Sequence, residues 1–146
     1  MAEVSKEIVI ACAPERLFDV IIDYPRYPEF VPGIRACRIT SGTGERLVEY
    51  ELDLGLKRIR YVLRHVELRP ARVTWSLVSG DALKVSSGSW VLTAEGASTR
   101  ARYAVDIQIA KPPFIPQAVI DKLTDELTRV QLPLTLEAFK ARAERG

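Results

Sequence analysis

The strongest constraint on what this chain can fold into is a pair of adjoining runs with a period of two. In LVEYELDL the residues Val48, Tyr50, Leu52 and Leu54 fall on one face, and Leu47, Glu49, Glu51 and Asp53 on the other. In KRIRYVLRHVEL the residues Ile59, Tyr61, Leu63 and His65 oppose Arg58, Arg60, Val62 and Arg64. Such alternation marks antiparallel strands with one face in a core and one in water. With a loop at Leu54 to Lys57, around Gly55, Asp53 meets Arg58, Glu51 meets Arg60, Leu52 meets Ile59 and Tyr50 meets Tyr61. A slip of one residue would set arginines against leucines, so both faces specify the same register.

The rest of the chain continues from that hairpin. Val4 to Ala11 is rich in β-branched residues and reads as a strand. Ala13-Pro14-Glu15 then starts a helix, since proline and an acid both suit the free N–H groups of a first turn. Leu17, Phe18, Ile21 and Ile22 recur at helical spacing, and Pro25 ends the helix near Tyr24 by disfavouring α geometry before it. After Ile34 come the strands of the hairpin, then Val73 to Leu77, Leu83 to Thr93 and Arg100 to Ile109, with turn residues at SGTGE (Gly42 and Gly44), Gly80-Asp81 and Glu95-Gly96. Tyr103, Val105, Ile107 and Ile109 share a face of the last strand. The prolines of KPPFIP, residues 111–116, stop the sheet. From Gln117 to about Ala143 the period becomes helical, with Val119, Leu123, Leu127, Val130 and Leu134 as the apolar stripe and a kink expected at Pro133.

A helix of about 27 residues spans roughly 40 Å, enough to lie across such a sheet. A curved sheet touches a straight helix more easily at its ends than at its middle, which predicts a pocket between them. The 146 residues suit one domain, 1–146, and the 47% hydrophobic and 27% charged composition with net charge +2 is that of an ordinary globular protein. That charge is too small to imply nucleic acid, and DNA is not an expected partner. The N-terminal MAEVSKEIVIACAPERL has charges where a signal peptide needs an apolar run, and no segment reads as a membrane span. Cys12 and Cys37 read as free thiols, so a cytoplasmic location is expected.

DYPRYPEFVPG after the first helix, the glycine two residues before tryptophan in GSW, and the ending EAFKARAERG together resemble the polyketide cyclase and coenzyme-Q-binding branch of the START-like (SRPBCC) superfamily, over essentially the whole chain. The resemblance implies an α+β helix-grip fold: a curved antiparallel sheet wrapped around a long C-terminal helix, with two short helices after the first strand. It also implies a cavity for lipids, polyprenyl quinones, steroids or polyketides. Members include aromatase/cyclases, carriers or chaperones of quinones, and a ribosome-associated group, and a fold does not choose among such roles.

The residues narrow the choice. The expected reading is a non-catalytic carrier that holds a hydrophobic small molecule between sheet and helix. Its pocket is expected from Phe30, Tyr50, Leu52, Tyr61, Leu63, His65, Trp75, Trp90, Tyr103, Val119, Leu123 and Leu127, with Tyr50, Tyr61 and His65 as the polar groups. The rivals are a cyclase or dehydratase, using His65 and a tyrosine for proton transfer, and a ribosome-associated interaction module. His65 is the only histidine; its alternative role is that of a half-exposed strand-end residue. No metal-ligand spacing, phosphate loop or nucleophile motif is present, and no cofactor is expected. The arginines Arg58, Arg60, Arg64, Arg69 and Arg72 invite contact with RNA, the ribosome or an anionic membrane, but Glu49, Glu51 and Asp53 on the adjoining strand are placed to neutralise that face. The rings of Tyr24, Tyr27 and Phe30, stiffened by Pro25, Pro28 and Pro32, form either a gate or a plug at one end of the cavity, with Tyr24 assigned to the plug. Oligomeric state and ligand identity stay open.

Overall fold

A computed structural model describes residues 2–41, 45–53, 58–80, 83–110 and 114–145. Strand β1 (Ala2–Ile10) leads into helix α1 (Pro14–Ile22), a 3-10 turn (Tyr24–Arg26) and the short helix α2 (Tyr27–Phe30). Six strands follow: β2 (Ile34–Ser41), β3 (Glu45–Asp53), β4 (Arg58–Leu68), β5 (Arg72–Gly80), β6 (Leu83–Glu95) and β7 (Ser98–Ile109). The C-terminal helix runs through three parts: α3 (Gln117–Asp125), a π-helical turn (Glu126–Gln131) and α4 (Leu132–Glu144).

The strands form one antiparallel sheet in the order β1-β7-β6-β5-β4-β3-β2, so the first strand crosses to pair with the last. The long C-terminal helix completes the helix-grip α+β arrangement. The β3–β4 register is the one both faces specify: Tyr50 opposite Tyr61, Glu51 opposite Arg60, Leu52 opposite Ile59 and Asp53 opposite Arg58. Val48, Tyr50, Leu52, Ile59, Leu63 and His65 are buried on its inner face. Outside, Arg58 lies 3.3 Å from Glu51, Arg60 3.7 Å from Glu51 and Arg64 3.6 Å from Glu45. Solvent-exposed pairs of this kind each contribute at most about 1 kcal/mol, so they pin register more than they add stability. Arg69 joins Asp19 at 2.6 Å and lies over the Phe18 ring. The expected turns at residues 42–44, 54–57 and 81–82, the inward position of Leu54, and the first residues of KPPFIP lie outside the described residues, while Gly80 belongs to β5.

Two expectations about the long helix need correction. Val119, Val130 and Leu134 are exposed, and the buried face is instead Ile120, Leu123, Leu127, Leu132, Leu136, Phe139 and Ala143. A π turn adds a residue to one turn and rotates everything after it; the positions expected inward at 130 and 134 are replaced by 132 and 136. Pro133 then falls in the first turn of α4, where its missing N–H matters least. The break expected as a kink is taken up by the π turn that precedes it.

GSW also acquires a physical reason. A Cβ on Gly88 would lie 2.3 Å from the Ala104 carbonyl oxygen and 2.5 Å from the Trp75 indole, so only glycine lets that ring lie against β6.

Candidate functional site

Between the inner face of the sheet and the C-terminal helix lies a cavity of about 110 Å³. Strand parity brings Tyr50 and Leu52 from β3, Tyr61, Leu63 and His65 from β4, Trp75 from β5, Trp90 from β6 and Tyr103 from β7 to its wall, and Leu127 closes it from the π turn. All nine are expected pocket residues. Three others are not part of this wall. Val119 points to solvent because of the helix phase, Leu123 is buried in the aliphatic core beneath α3, and Phe30 stands outside. Phe30 packs edge-on against Phe139 and Tyr27, its ring 5.0 Å from the Arg142 guanidinium, and borders a separate surface notch with Pro28, Pro32 and Gly33.

Several wall residues escape the strand-parity argument because they come from helices. Tyr27 enters from α2, and Gln131, Thr135 and Phe139 from the rotated helix, while Ser86 lies on β6 at the parity of Trp90. The repetition of aromatic and serine residues carries no signal for such convergence; only the π turn explains why Gln131 and Thr135 face inward. Gln131 also donates its side-chain amide to the Pro32 carbonyl oxygen, tying the helix to the turn that follows α2.

The wall is largely aromatic. Tyr50 and Tyr61 stack nearly parallel at 5.1 Å, Trp75 lies 5.8 Å from Tyr103, and Trp90 sits 4.6 Å from Tyr103 and 5.3 Å from Phe139. Tyr27, through its hydroxyl, donates to the Ile21 carbonyl oxygen at the end of α1. Burial pushes the phenols of Tyr27, Tyr50, Tyr61 and Tyr103 above their ordinary range, so all four are neutral hydroxyls at physiological pH.

His65 occupies the polar end. Far from being half-exposed, it is 4% accessible, wedged between the Tyr24 ring at 4.6 Å and the Trp75 ring at 5.9 Å. Its Nε2 is 2.8 Å from the Tyr50 hydroxyl, and its Nδ1 is buried with no partner. Burial alone pushes its pKa down to about 3, so the imidazole is neutral. The carboxylate nearest in sequence on its face, Glu67, accepts a hydrogen bond from Tyr24 at 2.8 Å and pairs with Arg46 at 3.4 Å. Burial pushes the Cys37 thiol up to about 12, an effect that Tyr50 partly offsets. Tyr24, the ring assigned to the plug, is fully buried.

Among the described residues no group of three or more histidine, cysteine, aspartate or glutamate side chains could hold a metal ion, and no helix is long and apolar enough to cross a membrane. Cys12 and Cys37 are both free thiols.

A seven-stranded antiparallel sheet gripping a long C-terminal helix over an aromatic cavity defines a helix-grip domain. The chain belongs to the family described as polyketide cyclase / dehydrase and lipid transport, whose profile it matches over residues 1–144. Three solved structures share the fold. Protein TTHA0849 from Thermus thermophilus superposes with a TM-score of 0.84 at 19% identity, over 97% of this chain and 96% of that one. A START superfamily protein from Mycobacterium smegmatis gives 0.80 at 19% identity, over 98% and 97%. The Zhui aromatase/cyclase from Streptomyces sp. R1128 gives 0.80 at 18% identity, over 98% and 93%. No curated protein matches the chain in sequence.

Proposed function

We propose that this protein is a non-catalytic carrier or chaperone of a hydrophobic small molecule, of lipid, polyprenyl quinone or polyketide type. The observation that carries the reading is the wall itself: aromatic and aliphatic side chains with a few neutral polar groups, the Tyr50–His65 pair and Ser86, Gln131 and Thr135 among them, and no carboxylate or cation among its described lining residues. Apolar walls with a few fixed polar groups hold a ligand by burial and orient it by hydrogen bonding. The volume of about 110 Å³ is below the roughly 150 Å³ that takes a benzene ring and the roughly 300 Å³ at which drug-sized sites begin. A lipid-sized guest therefore enters by moving wall side chains or the helix above them.

The cyclase reading draws support from the shared fold of the Zhui aromatase/cyclase. Against it stands the chemistry of the one acid–base candidate. An imidazole with its pKa near 3 is a weak general base at neutral pH and is not protonated to act as an acid, and no carboxylate among the described residues contacts it to change that. The ribosome-associated reading loses its basic patch to the ion pairs along β3 and β4.

Mass spectrometry of an organic extract of the purified protein, beside an unrelated protein from the same cells, tests the proposal. A stoichiometric hydrophobic compound supports it. An empty extract together with no binding of apolar dyes overturns it.

A further inference from the structure

His65 lines the cavity, and its Nδ1 is buried without a hydrogen-bond partner. A polar atom out of water without a hydrogen bond is costly, and native proteins rarely leave one so. Of its neighbours, Tyr50 meets Nε2, Glu67 is held by Tyr24 and Arg46, and the rings of Tyr24 and Trp75 pack against the imidazole at 4.6 and 5.9 Å. The Tyr50–His65 hydrogen bond admits two proton arrangements. In one, Tyr50 donates to Nε2 and Nδ1 carries a spare N–H; in the other, Nε2–H donates to Tyr50 and Nδ1 presents a lone pair. Either way one neutral hydrogen-bonding atom remains for a guest.

We infer that the cavity is selective for an uncharged ligand carrying a hydroxyl group, seated with that hydroxyl on Nδ1 of His65 and its apolar body among Tyr61, Trp75, Trp90, Tyr103 and Leu127. This rests on the carrier reading above and specifies its ligand. A hydroxyl both donates and accepts, so it pairs with Nδ1 in either arrangement. A carboxylate fails because no described side chain lining the cavity is a cation that could offset its desolvation. Free fatty acids are thereby excluded, and hydroxylated neutral molecules are preferred over plain hydrocarbons of the same shape.

Three single-ring probes separate the possibilities: p-cresol, toluene and benzoate, titrated into the whole chain at neutral pH. Because His65 is the only histidine, labelling histidine with the heavy nitrogen isotope makes each ring-nitrogen resonance report on this one residue. The inference expects p-cresol to bind about tenfold more tightly than toluene, the value of one net hydrogen bond. It also expects benzoate to bind undetectably and p-cresol to move the Nδ1 resonance while toluene leaves it in place. His65→Phe, which keeps a ring at the site, should bring p-cresol and toluene to equal affinity. If the variant does not fold, the resonance test on the natural chain decides alone. Equal binding of p-cresol and toluene with an unmoved Nδ1 resonance overturns the inference while leaving the carrier reading intact. Binding of benzoate as tight as p-cresol overturns it in the same way. Binding of none of the three overturns the inference, and the carrier reading falls with it only when the extract is empty and apolar dyes do not bind.

Discussion

The two ends of the space beneath the C-terminal helix are built differently. At one end, α1, the Tyr24–Phe30 corner and α4 converge on the sheet, and Ile10, Leu17, Phe18, Ile21, Tyr24, Val48 and Val73 are essentially inaccessible. At the other, Leu123, Leu127 and Leu132 lie over Leu52, Ile59, Leu83, Val105 and Ile107, an all-aliphatic cluster whose members each keep a few per cent of their surface. None of the largest fully buried side chains belongs to that second cluster. The cavity lies where the two meet, with Tyr61, Trp75, Leu77 and Tyr103 packed against both. One end is a foundation and the other a cover, and the π turn is the joint between them.

Truncation should separate the two ends most sharply. Phe18→Ala, in the dense end, is expected to lose about 4 kcal/mol, a fall of roughly 12 °C in melting temperature for a chain of this size. Calorimetry or denaturant titration reads it directly, and a loss no larger than that of Leu127→Ala would erase the contrast. Gly88→Ala comes next at about 3 kcal/mol, because the new methyl group must displace either the β7 backbone or the Trp75 ring; a stability unchanged by this substitution would mean that the wall yields freely. Leu127→Ala should lose only about 2 kcal/mol and should enlarge the cavity, so that bulkier apolar dyes bind more tightly than to the natural chain. Reduced dye binding would show that the aliphatic end does not bound the ligand space.

The smallest effect concerns pH. His65 has its pKa lowered on folding from 6.5 to about 3, so between those values the unfolded chain binds a proton that the folded chain does not. The contribution is complete above pH 6.5 and is lost as pH falls through the window, at up to about 1.4 kcal/mol per pH unit. Glu29 and Glu144, whose pKa values are lowered below 4.5 mainly by hydrogen bonds to Arg26 and Lys140, respond further down. The interval from about pH 6.5 to about pH 5 therefore isolates the histidine, and His65→Phe should flatten it. An unchanged slope in that variant would place the acid sensitivity elsewhere.

The hairpin register was legible because two independent patterns, charge outside and hydrophobicity inside, agreed on one alignment. The same parity placed Tyr50, Tyr61 and His65 on the wall. It could not pair Tyr50 with His65, because these two are not opposite each other in the ladder, where Tyr50 faces Tyr61 and His65 faces Arg46; their side chains meet diagonally. The helix face was misread for a different reason. A steady helical period is blind to one extra residue in a turn, and after Glu126–Gln131 every inward position is displaced. Phe30 shows the limit of reading a loop by composition, since its ring belongs with Arg142 and Phe139, side chains more than a hundred residues away.

The most direct test of the account fills the cavity without disturbing either end. Thr135 is half-buried on α4 and contributes to the wall, so Thr135→Phe should occupy the space with a ring. Fluorescence titration with an apolar dye is expected to show one saturable site in the natural chain and none in the variant, at an unchanged or raised melting temperature. Equal dye binding by a folded Thr135→Phe protein would contradict the claim that the ligand lies between the sheet and the helix.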